Sequence, residues 1–335
     1  MALRACPVDG FRSSFPAYDD RPLAVTCLWY QNKQVMIFIV VNPHAGGHRL
    51  ERVARLAQYL RQAGLHVGIG HTQYSGHATM LARMAARTPG CTHIVAAGGD
   101  GTIAEVAQGM AGTDIVLAIL PLGTANVLAR ELGLPFDVAR VAHIITAGGS
   151  RRVWPGRLRS SAGEGLFVQL VGGGFDAHVG HHVSLRLKRA VGRMAYVASM
   201  LGALRRYRFP PMTVTVAGVA YEAASVIVSK GALYAGKYVL APQSMQAERL
   251  FSVVLFHSAG IGATVRAGLA LLRGNLGRLR DVTIVQARVI EISSPAALPV
   301  QGDGDARGFT PVRIDIADHP LRIAVATDRG GGGGI

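Results

Sequence analysis

Apolar positions follow two different rhythms along this chain. Up to about residue 150 they concentrate in short blocks, Val35 to Val41, Val67 to Thr72, Thr92 to Ala97 and Ile115 to Leu120. Each block runs into a polar or glycine-rich loop, and apolar residues then recur at helical spacing, as in Leu50 to Ala63 and at Ile103, Val106, Ala107 and Met110. Strand, loop and helix in repetition predict an α/β domain. Asp137 to Ala147 predicts a further helix, and Gly148-Gly149-Ser150 marks a crossing into different territory. Beyond it, short strands at Leu166 to Val171, Thr213 to Val219, Ala223 to Val228, Phe251 to Phe256 and Thr283 to Val289 are separated by turn residues. Helices are expected near Leu185 to Arg206 and Gly260 to Arg273, so the second half reads as an antiparallel β domain with helical insertions. The divisions expected are a mobile leader (1–32), an α/β domain (33–150, completed by a returning segment in 319–329), a β-rich domain (151–318) and a flexible glycine tail (330–335).

Composition narrows the classes. The 335 residues are half apolar and only 16% charged, which excludes a disordered chain and allows two cores. Lys and Arg outnumber Asp and Glu by 35 to 20, giving a formal charge of +15 and attraction to an anionic partner: nucleic acid, nucleotide or membrane. Aromatic residues make up 6%, and no basic helix interleaves them, which argues against a nucleic-acid stacking platform. Cys6, Cys27 and Cys91 are odd in number, without metal-ligand spacing, and fit a reducing compartment. No apolar run reaches the roughly 18 to 20 residues that span a bilayer. A cytoplasmic protein, peripheral at most to a membrane, is expected.

The chemistry concentrates at Gly98-Gly99-Asp100-Gly101-Thr102, the turn between the third strand and its helix. Glycine admits positive φ and close ligand approach, and a helix N-terminus offers unpaired amides to an anion. A phosphate site is expected there. An aspartate inside it would repel bare phosphate, so Asp100 is assigned to a cation, magnesium by preference. A plain βα turn is the alternative, because most glycine-rich turns hold no ligand. Pro121-Leu122-Gly123-Thr124-Ala125-Asn126 closes the next strand and presents a second Gly-Thr pair to the same crevice.

GGDGTIAEV, with Leu122-Gly123-Thr124-Ala125-Asn126 after it and Asn42-Pro43-His44-Ala45-Gly46-Gly47 before it, closely resembles the diacylglycerol kinase catalytic-domain family, which includes bacterial lipid kinases, sphingosine kinases and ceramide kinases. The resemblance covers roughly residues 35 to 328. It implies an N-terminal Rossmann-like nucleotide domain of the NAD kinase and diacylglycerol kinase type, followed by a C-terminal antiparallel β-sandwich-like lipid-acceptor domain. It further implies ATP as phosphate donor, with Asn42, Gly46, Gly47, Thr72, Gly98, Gly99, Gly101, Thr102, Glu105, Gly123, Thr124 and Asn126 around the nucleotide. His44 is taken as a bystander. Two positions depart from the commoner pattern: Ala104 stands for an asparagine and Val127 for an aspartate.

A fourth motif, Pro299-Val300-Gln301-Gly302-Asp303-Gly304-Asp305, matches the family's Asp-Gly-Glu element with Asp305 in the glutamate position. Two carboxylates between glycines suit general-base work on a hydroxyl, one taking the proton while the other orients metal or water; a hairpin turn is the structural alternative. By the same resemblance, residues 241–250 align with a structural magnesium site, in which Met245 and Leu250 would offer carbonyls and Glu248 its carboxylate. The adjacent Arg249 argues against a retained cation. Gly231 to Lys237 has Walker A spacing but lacks the Ser/Thr after the lysine and is rejected, and Gly172 to Ala177 is read as a packing turn.

The expected activity is ATP- and magnesium-dependent phosphorylation of a lipid hydroxyl, on diacylglycerol or a sphingoid base for example. An NAD kinase and a catalytically inactive lipid- or nucleotide-binding protein are the alternatives. Partners expected are the lipid and an anionic membrane surface met reversibly, with no nucleic acid; a homodimer is admitted. The membrane contact is assigned to two basic groups, Arg186, Lys188, Arg189, Arg193, Arg205, Arg206 and Arg208 in one, and Arg266, Arg273, Arg278 and Arg280 in the other, for which a merely solvated face is the alternative.

Overall fold

The central strands of the first half are largely apolar because both of their faces are covered, whereas the edge strand His66–His71 is half exposed. β1 (Met36–Val41), β2 (His66–His71), β3 (Cys91–Gly98) and β4 (Val116–Pro121) pair in parallel in the order β2-β1-β3-β4. Ile37, Ile39 and Val41 point to one face, with Val95, Ala97, Ala118 and Leu120, against the apolar sides of α1 (Arg49–Gln62) and a later helix, Val138–Ala147. Val40, Ile94, Ala96, Leu117 and Ile119 point to the other, against α2 (His77–Ala86), α3 (Asp100–Gly109) and the short α4 (Val127–Glu131); Val138–Ala147 is α5. The computed structural model describes residues 35–43, 49–182, 202, 204 and 207–326. The expected leader and tail, and nearly all of the helix expected at Leu185 to Arg206, lie outside those residues.

Two further strands complete this sheet. β5 (Ser150–Val153) follows α5 and pairs antiparallel with the last described strand, Leu321–Ala324, which inserts parallel to β4. Ile323 and Ala324 thereby reach the two cores of the first sheet.

The second half is a sandwich. In chain order its strands are β6 (Gly156–Ser160), β7 (Gly163–Phe167), β8 (Leu170–Gly173), β9 (Met212–Val216), β10 (Val219–Ala223), β11 (Ser225–Ser229), β12 (Leu233–Tyr234), β13 (Tyr238–Val239), β14 (Phe251–Phe256), β15 (Val282–Ala287), β16 (Val289–Ser293), β17 (Pro299–Gly302), β18 (Asp305–Phe309) and β19 (Val312–Ile316), with Leu321–Ala324 as β20. One sheet runs β10-β9-β16-β19-β6-β7 and the other β15-β14-β11-β8-β17-β18. Between them lies a core of alternating residues such as Val171, Val214, Val226, Val253, Ile290, Val300 and Ile314. The outer face of the second sheet carries α6 (Phe175–His182) and α7 (Ile261–Leu272), the latter over a smaller core of Leu170, Ile227, Val254, Ala270 and Leu276. No described helix is long and apolar enough to cross a membrane.

The strand expected over Leu166 to Val171 is two strands. It breaks at Val168 and Gln169, where successive amides turn away from the ladder onto the carboxylate of Asp303. A side chain distant in sequence supplies the acceptor, so local periodicity gave no sign of the interruption.

Candidate active site

The order β2-β1-β3-β4 places a topological switch point between β1 and β3, where the chain leaves β1 in opposite directions and the loops diverge to leave a crevice. Asn42 follows β1 there, its amide donating to Ala97 O at 3.3 Å. α3 opens on the other side of the crevice. Its N-cap is Gly99, and no side chain caps it, so the first-turn amides of Asp100, Gly101 and Thr102 head the helix without a carboxylate or hydroxyl lid.

The glycines of this turn are required by proximity rather than by positive φ, contrary to the sequence reading. Gly99 has φ −93° and ψ −171°, extended backbone open to any residue. A Cβ on Gly98, however, would lie 2.4 Å from Thr102 Oγ1, and one on Gly123 would lie 2.5 Å from Gly99 Cα. The two loops are also zipped together by Gly98 O, which accepts from Leu122 N at 2.9 Å and Gly123 N at 3.2 Å. Only residues without side chains permit this contact.

Asp100 does a different job from the one expected. Its Oδ2 accepts from Asn126 N at 2.9 Å and its Oδ1 from Val127 N at 2.6 Å, so both oxygens cap α4 from the neighbouring loop. Asn126 is fully buried in the left-handed conformation (φ 45°), with Oδ1 accepting from Gly123 N and Nδ2 donating to Gly123 O. It locks the second loop rather than facing the crevice. Thr102 packs on Gly98, Thr72 is buried just past β2, and Thr124 is exposed. Gly46 and Gly47, with His44, lie outside the described residues. Ala104 and Val127, the departures from the family pattern, are both buried in the α/β half, Ala104 within its core.

The late acidic motif crosses to this crevice from the sandwich. A Cβ on Gly101 would stand 3.9 Å from Asp305 Oδ2, which sets that carboxylate beside the first turn of α3. Burial raises the pKa of Asp305 above the ordinary carboxylate value, the Glu105 charge raises it further, and the Arg307 guanidinium pulls it back. Among the described residues neither Asp305 oxygen accepts a hydrogen bond. Glu105 Oε2 accepts from Ala78 N at 3.0 Å, joining α3 to α2.

Asp303 is not an equivalent partner. Its Oδ2 accepts from Val168 N at 2.7 Å and its Oδ1 from Gln169 N at 2.8 Å and Leu170 N at 3.0 Å, while its own backbone sits at φ 52°. Burial pushes its pKa up to about 6 against the pull of those three amides and of Arg307. The expected division, one acid taking the proton while the other orients metal or water, is thus corrected: Asp303 fastens the loop, and Asp305 is the one presented.

A further carboxylate went unrecognised in the sequence. Asp176, one residue into α6, accepts from Tyr234 Oη at 2.5 Å and from Gln301 Nε2 at 2.7 Å, and Gln301 Oε1 accepts from Gly304 N at 2.7 Å. The network ends on the amide between Asp303 and Asp305. Its sequence signal was the glycine run before it, since a Cβ on Gly172 would strike Asp176 Oδ2 at 2.2 Å.

Of the magnesium ligands expected in residues 241–250, the Leu250 carbonyl is taken by a side chain. Lys230 is fully buried, and its Nζ donates to Glu248 O at 2.5 Å and Leu250 O at 3.0 Å. Met245 O accepts from Glu248 N at 3.1 Å, and Arg249 stacks over Trp154, 4.3 Å from the ring centroid. Burial lowers the Lys230 pKa to about 8, opposed by the Glu248 charge. An internal ammonium therefore holds one of the carbonyls expected for a cation. Among the described residues no three acidic, histidine or cysteine side chains cluster as a metal cage.

Comparison with known proteins decides the family. The diacylglycerol kinase catalytic domain matches residues 36–158, and the YegS C-terminal NAD kinase beta sandwich-like domain matches residues 169–325. The chain belongs to the diacylglycerol kinase family. Within this family, the diacylglycerol kinase of Bacillus subtilis is 27% identical over 82% of this chain and 90% of its own length. The Pseudomonas putida protein named "Probable lipid kinase YegS-like" is 30% identical over 79% of this chain and 87% of its own. The fold agrees as well. A diacylglycerol kinase structure from Bacillus anthracis superposes with a TM-score of 0.63 at 20% identity, over 88% of this chain and 97% of that one. Yeast NADH kinase, complexed with NADH, shares the fold more distantly, with a TM-score of 0.50 at 12% identity over 89% and 85%.

Proposed function

We propose that this family member transfers the γ-phosphoryl group of ATP to a hydroxyl of a lipid such as diacylglycerol or a sphingoid base. The observation that carries the reading is Asp305, an acid with no hydrogen-bond donor among the described residues, standing beside the uncapped N-terminus of α3. One element suits a transferring phosphoryl group and the other a hydroxyl that must lose its proton. In this reading the phosphates lie over the first-turn amides of α3, with Gly98, Gly99 and Gly123 holding the two loops together, Gly101 in the first turn, and Asn42, Thr72 and Thr124 at the rim. Gly46 and Gly47, outside the described residues, are assigned to the same phosphates by the family resemblance alone.

The lipid oxygen attacks the γ-phosphorus, the bond to the bridging oxygen breaks, and ADP leaves. The hydroxyl proton passes to Asp305 Oδ, whose raised pKa suits it to hold that proton until water removes it. Asp303 and the Asp176–Gln301 pair hold the loop so that this oxygen keeps its position. Magnesium is ordinarily bound by one or two carboxylates together with phosphate oxygens, and the free oxygen of Glu105 beside Asp305 fits that donor set. When bound it would neutralise charge on the phosphates.

The test is lipid-dependent release of ADP in wild type and in Asp305→Asn. Release that requires lipid and collapses in the variant supports the reading. Release indifferent to lipid, or an unaffected variant, contradicts it.

A further inference from the structure

An ordinary surface helix hides its apolar side, and α7 turns much of its own outward. Of its twelve residues only Ala270 is buried. Ile261, Val265, Leu269 and Leu272 recur at helical spacing and are 48%, 43%, 45% and 57% exposed, forming one stripe along the solvent side. Beside the stripe a groove of about 420 Å³ runs between α7 and the turn at 275–279. Val265, Leu269 and Leu279 give it an apolar floor and Arg266, Arg273 and Arg278 a basic rim.

The charge around this patch is predominantly positive. From Ser258 to Arg280 the chain contains four arginines and no aspartate or glutamate. Arg266 is paired with Asp281, whereas Arg273, Arg278 and Arg280 make no ion pair among the described residues. A second copy of the chain suits the patch poorly, because a twofold contact would set these arginines against their own equivalents. An apolar interior beneath an anionic surface suits it well.

We propose that α7 and its groove form the surface on which the protein docks to an anionic lipid bilayer, the stripe entering below the headgroups and the arginines meeting lipid phosphates. Position in the fold agrees. Along β8, Val171 faces the sandwich core, while Leu170 and Gly172 face outward, Leu170 into the small core beneath α7 and Gly172 toward Asp176 and Gln301. Tyr234 packs on that same small core and reaches Asp176 with its hydroxyl. The docking helix and the network behind Asp305 therefore share one face of one sheet. The purpose of docking, delivery of a membrane-resident acceptor, rests on the lipid kinase reading; the docking itself does not.

The experiment is co-sedimentation with vesicles of phosphatidylglycerol and phosphatidylcholine, without ATP, for wild type, Leu269→Glu/Leu272→Glu and Arg273→Gln/Arg278→Gln. Each variant is first shown by circular dichroism to melt as wild type does. Wild type is expected to bind the anionic vesicles, to release with added salt, and to ignore pure phosphatidylcholine. Loss of two arginines, at about 1 kcal/mol each, weakens partition roughly 30-fold, and the glutamate pair weakens it more than tenfold. Variants that sediment like wild type overturn the proposal. So does a wild-type dimer that the variants dissociate while vesicle binding persists. Turnover of a monomerically dispersed short-chain lipid should be unchanged in both variants. If wild type phosphorylates no lipid while the vesicle results hold, the kinase reading fails and the docking surface stands.

Discussion

Replacing Lys230 by methionine separates an internal cation from a bound one. The Lys230 ammonium has no exposed surface, and its pKa falls from 10.5 to about 8 in the folded chain. At 1.36 kcal/mol per unit, the folded state bears roughly 3 kcal/mol for holding this charge at neutral pH, relative to the neutral amine. The sign follows from proton counting. Between pH 8 and 10.5 the unfolded chain keeps the proton and the folded chain has released it, so stability rises with pH across that window and is lost as pH falls through 8. Methionine has no such proton. Its own cost is two buried carbonyls, Glu248 O and Leu250 O, left without a donor, at about 1 to 3 kcal/mol each. Urea denaturation of both proteins at several pH values should therefore show a stability gap in favour of wild type that widens by about 3 kcal/mol from pH 8 to pH 10.5. Added magnesium or chelator, without nucleotide, should leave the wild-type curve in place. A gap that stays flat with pH would refute the buried ammonium. A wild type stabilised by magnesium alone would show that the carbonyls hold a metal after all.

Three further outcomes follow from the site. Asp305→Asn should lower kcat by about 10² to 10⁴ with the melting temperature kept; Asp303→Asn should instead lower the melting temperature, because its new amide points a donor at one of three backbone N–H groups. The opposite pattern would reverse the two roles. In kcat/KM, which reports the free enzyme, the acidic limb should lie above the usual carboxylate range; Glu105→Gln removes a charge that raises the Asp305 pKa and should move the limb to lower pH, whereas Arg307→Gln should move it higher. Gly123→Ala drives a methyl group to 2.5 Å from Gly99 Cα, and urea denaturation should show a loss of about 1 to 3 kcal/mol together with a raised KM for ATP. An alanine variant that keeps wild-type affinity would mean that the two loops need not touch.

Much of the fold was legible because the first half is built of short-range signals. Strands covered on both faces read as apolar blocks, and amphipathic helices follow each one; α1, expected at Leu50 to Ala63, spans Arg49–Gln62. The glycines of the crevice were also legible, for an incomplete reason: the sequence shows that side chains are absent, and only the fold shows that loop-to-loop contact requires it. Roles that depend on distant partners were not legible. Nothing near Asp100 announces that α4 will need its oxygens, and nothing near Asp303 announces the three amides of the broken strand. Lys230 lies 18 and 20 residues from the carbonyls it satisfies. Asp176 passed as part of a packing turn because Tyr234 and Gln301 reach it from two other strands.

The most direct measurement is transfer of label from γ-labelled ATP, with magnesium, to detergent-dispersed diacylglycerol, sphingoid base and ceramide, with NAD offered in parallel. The account predicts labelled lipid in wild type, none in Asp305→Asn and none in NAD. Label in NAD alone, or in no acceptor although ATP binds, would contradict it.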